Sequence, residues 1–443
     1  SALIYKGEIT NYAKQLFTGF SNPISFAVYI GIFAVATMFY VFKGALPKKH
    51  KVWIAITSVL FFAWAIALTS QDSVRPNFTS TALVGKKVLT HEGIFGIGSG
   101  NFTRAWQLYR PQEVITSQYF GYDFAQGSST MSTLFVTVGI VGLLAFIALI
   151  LSALYSTFIS YRQNPSGREH FILGLLVSVL GYFVIVSWLV PLSYAMLVVW
   201  MVVSGLGLAK ARLNEYHPSR RISFIMVPLA VLLLVNVVVT VNKVRAFSLY
   251  NKAQAVAGKE DIAPYIAKAI SIYPYDGFYR VQVEYYIQAN RNLVAAPATN
   301  QDELKKQYLE NAQKAVDAGL ASVKINPDNY QNYVSLGRSY ELAVPFDKEA
   351  AFNSAKKSYE EAVKLYPENP YLYIMLARLE ASAGTKDGVR LQLTEAIKKK
   401  NNFADALYLM SQLKASDNDI DGALNYAIEA VKSAPNDPLV YIQ

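Results

Sequence analysis

The chain has no cysteine in 443 residues. That excludes disulfides, zinc–thiolate sites, iron–sulfur clusters and a cysteine nucleophile. Histidine is scarce too: His50, His91, His170 and His217 are the only four. With no HxxxH pairing and so few histidines, a metal-ligand cluster is not expected. No Walker loop, protein-kinase glycine loop or nucleophile elbow occurs. Acidic residues are scarce in one half only. Residues 1–242 carry 7 Asp and Glu against 17 Lys and Arg, whereas residues 243–443 carry 24 of each. The whole net charge of +10 therefore belongs to the first part. A nucleic-acid binder gathers its basic excess on a soluble face; here it falls between hydrophobic runs, so nucleic acid is not an expected partner. No signal peptide is visible. The chain runs from Ser1 to Gln443 and stops one turn into a helical pattern, so it reads as a piece of a longer protein with earlier spans missing.

What the chain has in quantity is hydrophobicity, at 53% of residues. Runs of about 20 apolar residues cross a bilayer as helices because a helix satisfies its own backbone polar groups. Six such runs are predicted, at 24–42, 52–69, 133–158, 171–190, 192–209 and 222–241. The fourth and fifth form a tight hairpin broken at Pro191 and flanked by Trp188 and Tyr194. The spans contain no charged residue, which argues against an ion-coupled transporter. Ten basic residues sit in alternate loops: Lys43, Lys48, Lys49 and Lys51, then Arg162 and Arg168, then Lys210, Arg212, Arg220 and Arg221. The positive-inside rule makes those loops cytoplasmic, and places residues 71–132 and everything after Asn242 outside.

The second half reads as a helical array. Pro327, Pro367, Asn401 and Pro435 mark intervals of 40, 34 and 34 residues, and 34 is the period of tetratricopeptide repeats. Tyr333, Leu336, Gly337 and Tyr340 take first-helix positions, and Ala355, Tyr359 and Ala362 second-helix positions. Tyr373, Leu376 and Ala377 with Leu393 and Ala396 form the next copy, and Leu407 and Met410 with Ala423, Ala427 and Ala430 the next. Six extra residues fit an insertion at 344–348, and a looser unit ends at Pro274. The expected fold is therefore all-α: a polytopic transmembrane helix bundle (1–242), then an extracytoplasmic tetratricopeptide-repeat solenoid (243–443) of four to five units. Such arrays hold peptides, partner proteins or their own enzyme domain.

The 62-residue outer loop at 71–132 is too long for a passive connector. A helix is predicted over 79–90, with Leu83, Val84 and Val88 inward and Lys86 and Lys87 outward. The glycine run Gly93 to Gly100 follows, and then a second helix capped by Asn101, with Phe102, Trp106 and Tyr109 on one face and Pro111 at its end. Gly96, Gly98 and Gly100 let backbone N–H groups approach an anion closely. Arg75, Lys86, Lys87, Arg104 and Arg110 are the loop's cations, and a guanidinium fork matches a diphosphate. His91 is the only imidazole expected outside, and the only one there able to serve as a base near neutral pH.

The order of these parts resembles the O-antigen ligase/polymerase superfamily. The residues that carry the resemblance are Gly96-Ile97-Gly98-Ser99-Gly100-Asn101-Phe102, the pair Arg110-Pro111, a polar stretch at 125–130, and Thr137-x-Gly139-Ile140-x-Gly142-Leu143-Leu144 opening a span. It covers roughly residues 50–240. Members with appended tetratricopeptide repeats include relatives of protein O-oligosaccharyltransferases. The resemblance implies glycan transfer from a polyprenyl-diphosphate carrier to a lipid, glycan or protein acceptor, on the outer face of a bacterial inner membrane, without metal or other cofactor. It makes Arg75 the upstream arginine, with Arg104 and Arg110 as companions that stabilise the leaving diphosphate beside Gly96, Gly98, Gly100, Lys86 and Lys87. Many members carry a histidine where this chain has Ser128; Asp123, Glu113 or His91 would have to replace it as base. The alternative is a membrane-anchored repeat scaffold without chemistry, whose array binds a protein partner.

Overall fold

The computed structural model describes residues 23–43, 47–69, 75–117, 119–163, 167–192, 194–212, 220–258, 260–295 and 300–435. His217, and the start of the outer loop at 71–74, lie outside the described residues. Every described element is a helix, apart from one isolated bridge between Ala257 and Glu260. The chain divides into two compact units. One comprises Ser1–Tyr109 with Asp123–Val227; the other comprises Arg110–Tyr122 with Pro228–Gln443. The boundary does not simply follow the chain: the Arg110–Tyr122 stretch of the expected outer loop belongs to the repeat unit.

The first unit holds α1 (Pro23–Lys43), α2 (Lys48–Thr69), α3 (Phe78–His91), α4 (Phe102–Tyr109), α6 (Thr130–Thr137), α7 (Gly139–Gln163), α8 (Gly167–Leu189) and α9 (Tyr194–Arg212). Its core joins Val28 of α1, Met131 of α6, Ile150 of α7, Leu180 and Phe183 of α8, and Met196 and Trp200 of α9. Pro191 ends α8 as expected, and Thr130 pins the break. Its N–H donates to Val190 O at 3.1 Å, and its hydroxyl accepts from Leu192 N at 2.8 Å.

The run at 133–158 differs from expectation. It is divided between α6 and α7 at Gly139, whose φ is +68°. A side chain there would meet Ile94 O at 2.1 Å, so only glycine admits the backbone crossing. Among the described residues α7 and α8, rather than six helices, are long and apolar enough to cross a membrane. The other four expected spans fall on helices α1, α2, α9 and α10 (Arg220–Val256), each with some side chains outside the described set.

The second unit contains α5 (Gln112–Ile115) and, after the long helix α10 (Arg220–Val256), α11 (Ala263–Ile272) and four antiparallel helix pairs. The pairs are α12 (Asp276–Ala295) with α13 (Gln301–Ile325), α14 (Tyr330–Glu341) with α15 (Lys348–Leu365), α16 (Pro370–Ala383) with α17 (Lys386–Lys399), and α18 (Ala404–Ser416) with α19 (Ile420–Ser433). Several begin where the sequence supplies a cap: the Asn329 and Asn369 side chains accept from Gln331 N and Tyr371 N, and Asp419 accepts from Gly422 N. Small residues face large ones within a pair. A Cβ at Gly337 would stand 2.5 Å from the Tyr359 ring, and Ala355, Tyr359 and Ala362 are fully buried. The six-residue surplus of the α14–α15 pair lies partly in a turn at 342–347 and partly in a longer α15. These pairs have the helix-pair architecture expected of tetratricopeptide repeats.

The junction between the first two pairs is polar and buried. Asp276 Oδ2 accepts from Arg280 Nη1, Asn329 Nδ2 and Asn332 Nδ2, each at 3.0 Å. Arg280 also donates to Asn332 Oδ1 at 2.6 Å. The Asp276 carboxylate is thus paired with a cation and two amides, the kind of pairing under which buried charge is tolerated.

Candidate functional site

The glycine turn is built by positive φ at Gly93, Gly96, Gly98 and Gly100, at +88°, +73°, +105° and +81°. Two of its amides face α6. Ile97 N donates to Val136 O at 3.2 Å and Gly98 N to Thr137 O at 2.8 Å, while Gly96 N bonds Gly93 O at 3.3 Å. Ile94 O in turn accepts from Val141 N at 3.4 Å. The turn thus satisfies carbonyls at the end of α6, groups a helix terminus otherwise leaves unpaired. Of the three glycines expected to cradle a diphosphate, Gly96 and Gly98 have amides already bonded within the protein, whereas Gly100 stands in open space. The Asn101 side-chain amide donates back to Ile97 O at 3.2 Å, and Asn101 O accepts the first helical bond of α4 from Ala105 N at 3.1 Å.

Helix α3 starts at Asn77, whose side chain accepts from Ser80 N at 2.6 Å. Val84 and Val88 are buried as expected, but Leu83 points outward. Lys86, Lys87 and His91 are exposed, as is Arg75 ahead of the helix. At the end of α3 four polar groups gather. The His91 ring lies 5.4 Å from the Tyr109 ring, and the Tyr109 hydroxyl donates to Glu92 Oε1 at 3.0 Å. Burial, with the Glu92 bond, pushes the Tyr109 phenol up to about 12, and the nearby charge of Arg104 acts against this. Two expected site residues, His91 and Arg104, therefore share Tyr109 as a neighbour. Asp123 is instead tied to α4, accepting from Gln107 Nε2 at 2.9 Å. Ser128 sits beside Ser132, Oγ to Oγ 3.1 Å, and its amide donates to Thr81 Oγ1 at 3.2 Å. Among the described residues no three His, Asp or Glu side chains come together as metal ligands.

Arg110 belongs to the other unit. It is 2% exposed, packs its guanidinium over the Tyr366 ring at 4.9 Å and donates to Phe120 O. Within that unit the Arg110–Tyr122 segment lies against the turns that join consecutive repeats. Lys400, at the end of α17, donates to Ile115 O at 3.2 Å and to Ser117 O at 3.1 Å, with its ammonium 4.0 Å from the Phe120 ring centroid. Asn402 Nδ2 donates to Thr116 O at 3.2 Å, and Gln112 Nε2 to Lys399 O at 2.9 Å. Phe120 meets Phe403 edge-on at 5.7 Å and joins the cluster of Ile374, Ala396 and Ala406. Lys400 is 6% exposed, and burial lowers its ammonium pKa. The array therefore holds a short stretch of chain by its backbone carbonyls and one aromatic anchor.

None of Tyr366, Lys400, Asn402 and Phe403 was expected as a site residue. One signal was present: the inter-repeat turn reads Lys400-Asn401 where the two preceding turns place proline at the second position. A separate cleft of about 470 Å³ lies between α12, α13 and α14, lined by Asn290, Arg291, Tyr308, Arg338 and Glu341 among others. Arg338 forms a two-pronged pair with Glu284, and burial raises the Glu341 carboxyl although the Tyr359 hydroxyl donates to it at 2.8 Å.

No protein-family model and no curated protein sequence matches this chain. Solved structures that resemble it include TTC0263, a thermophilic tetratricopeptide-repeat protein of Thermus thermophilus, at 15% identity and a TM-score of 0.33 over 44% of this chain and 92% of that one. YrrB, a tetratricopeptide-repeat protein with an unusual peptide-binding site, is similar at 16% identity and a TM-score of 0.29, over 44% and 84%. Likeness at this level carries no argument of its own. The repeats are recognised from the helix pairs and their spacing in this chain.

Proposed function

We propose that the protein is a membrane-anchored tetratricopeptide-repeat scaffold that holds a protein segment on its array. The observation that carries this reading is the grip of Lys400, Asn402 and Phe403 on Arg110–Tyr122. A ligand held through main-chain carbonyls and an aromatic anchor is a protein segment, and recognition of that kind reuses ordinary backbone hydrogen bonding. The anchor is a multi-pass helical base in a bacterial inner membrane, with the outer loop and the repeats outside the cytoplasm. Two features support it. Large apolar side chains such as Leu144, Leu149 and Leu151 of α7 and Ile185 of α8 are exposed, which suits lipid rather than water. The basic residues fall in alternate loops.

A second reading, glycan transfer from a polyprenyl-diphosphate donor in the manner of O-antigen ligases and polymerases, is favoured by one observation: the grouping of His91, Glu92, Arg104 and Tyr109. The engagement of the Gly96 and Gly98 amides weighs against it. One experiment separates the two. The full-length protein, in membranes from its host, is cross-linked in place and also assayed for transfer of lipid-diphosphate glycan to lipid, glycan and protein acceptors. Cross-links to a defined protein that disappear with Asn402→Ala and Lys400→Met, without transfer, support the scaffold. Transfer that is lost with Arg104→Ala or Arg75→Ala in a folded protein overturns it in favour of the enzyme.

A further inference from the structure

We propose that Ile94 and Phe95 form a wedge that enters the interface of an anionic phospholipid bilayer, with Lys86 and Lys87 set against the lipid phosphates. This rests on the reading of α7 as membrane-spanning. Ile94 and Phe95 are 52% and 69% exposed. They sit at the tip of a turn that is fixed rather than loose, because its amides bond Val136 O and Thr137 O and Ile94 O accepts from Val141 N. That last bond reaches the first turn of α7. At 25 residues α7 is roughly 37 Å long, against a hydrocarbon core of about 30 Å. Its first turn therefore stands at the level of the headgroups, and the turn bonded to it stands there too.

An aromatic and an aliphatic side chain held open at that height match the residues that anchor proteins at the membrane boundary. The surrounding charge agrees. Residues 93–103 contain no acidic side chain, and Glu92, the nearest, accepts from the Tyr109 hydroxyl. Lys86 and Lys87, one turn or so before the end of α3, are exposed with no acidic residue on that helix. Lysines near a surface of anionic lipid are attracted to it within a Debye length.

The lack of cysteine makes the test direct. Single-cysteine variants Phe95→Cys, Ile94→Cys, Leu151→Cys and Leu391→Cys are spin-labelled in the full chain and reconstituted into vesicles of phosphatidylglycerol and phosphatidylethanolamine. Collision with oxygen is compared with collision with a water-soluble nickel chelate. Leu151 reports the middle of α7, and Leu391, exposed on α17, reports water. The expected result is a label at Phe95 and at Ile94 that loses most of its chelate access relative to Leu391, at a depth shallower than Leu151. Labels at both turn positions as open to chelate as Leu391, with Leu151 still shielded, would overturn the wedge alone. A Leu151 label open to chelate would overturn the membrane reading, and the wedge with it.

Discussion

Lys400→Met is the perturbation that most directly probes the held segment. The substitution keeps the length and apolar volume of the stem, so the α17 end stays filled. It removes two hydrogen bonds from a charged donor, to Ile115 O and Ser117 O, and a cation–π contact with Phe120. Bonds of that kind contribute about 1.5–3 kcal/mol each, and the ring contact about 1 kcal/mol. Against this, the buried ammonium carries a desolvation cost, visible in its lowered pKa, which the variant relieves. The balance is a loss of about 2 kcal/mol in docking, or roughly a thirtyfold rise in the open population at 1.4 kcal/mol per decade. Hydrogen exchange reads it without a ligand. The amides of Ile115, Thr116, Ser117, Phe120 and Tyr122 all bond to carbonyls inside the segment, so they exchange when the segment opens. In full-length protein in detergent, these amides should exchange about thirty times faster in the variant, with α16, α17 and α18 unchanged. Unchanged exchange in the segment refutes the energetic argument. Equal acceleration in α17 and α18 shows instead that Lys400 holds the repeat itself together.

Gly139→Ala should destabilise the first unit by about 3 kcal/mol or more, since it combines a left-handed φ with a Cβ placed 2.1 Å from Ile94 O. Gly100→Ala, at a similar φ but with open space around it, should cost about 1 kcal/mol; equal thermal midpoints for the two variants would show that the crossing is not tight. In the repeat unit, Arg280→Ala leaves Asp276 buried without its cation and should lower stability to urea by about 3–5 kcal/mol. A loss below about 1 kcal/mol would mean that Asn329 and Asn332 suffice to satisfy the carboxylate.

The repeats were legible because their signal is periodic. Proline or asparagine at each inter-repeat turn and small residues opposite tyrosines and leucines recur at the interval that one helix pair consumes, so several weak observations reinforce one another. Leu336, Leu376, Ala377, Leu393, Ala396, Leu407 and Met410 are all buried, as that pattern requires. The glycine loop was legible as a special backbone, not as to its purpose. Four positive-φ glycines serve a phosphate cradle and a backbone crossing equally well. The crossing itself comes into view only through Gly139, forty-three residues after Gly96 in the chain, because those two glycines meet face to face. The apolar run at 133–158 concealed a helix break for a related reason: a glycine inside a hydrophobic stretch gives no sign of its φ.

The held segment was illegible on different grounds. Its decisive contacts join residues up to 287 positions apart, and they run from side chains to main-chain carbonyls, which have no sequence identity to read. Arg110 shows the consequence. As a cation in an outer loop beside Arg104 it reads as a partner in one diphosphate clamp, yet it is buried over Tyr366 and bonded to Phe120 O, in a different unit from Arg75 and Arg104. A loss of activity on Arg110→Ala would therefore follow from release of the segment before it reported on any ligand. Arg104, which touches Tyr109 electrostatically and lies in the unit that holds His91 and Glu92, is the arginine at which chemistry separates from docking. Chain segment and repeat turn are complementary here in the way a scaffold and its client are, with carbonyls and a ring on one side and a lysine, an asparagine and a phenylalanine on the other. A partner that presents three successive carbonyls and an aromatic residue at that spacing would compete for the same turn.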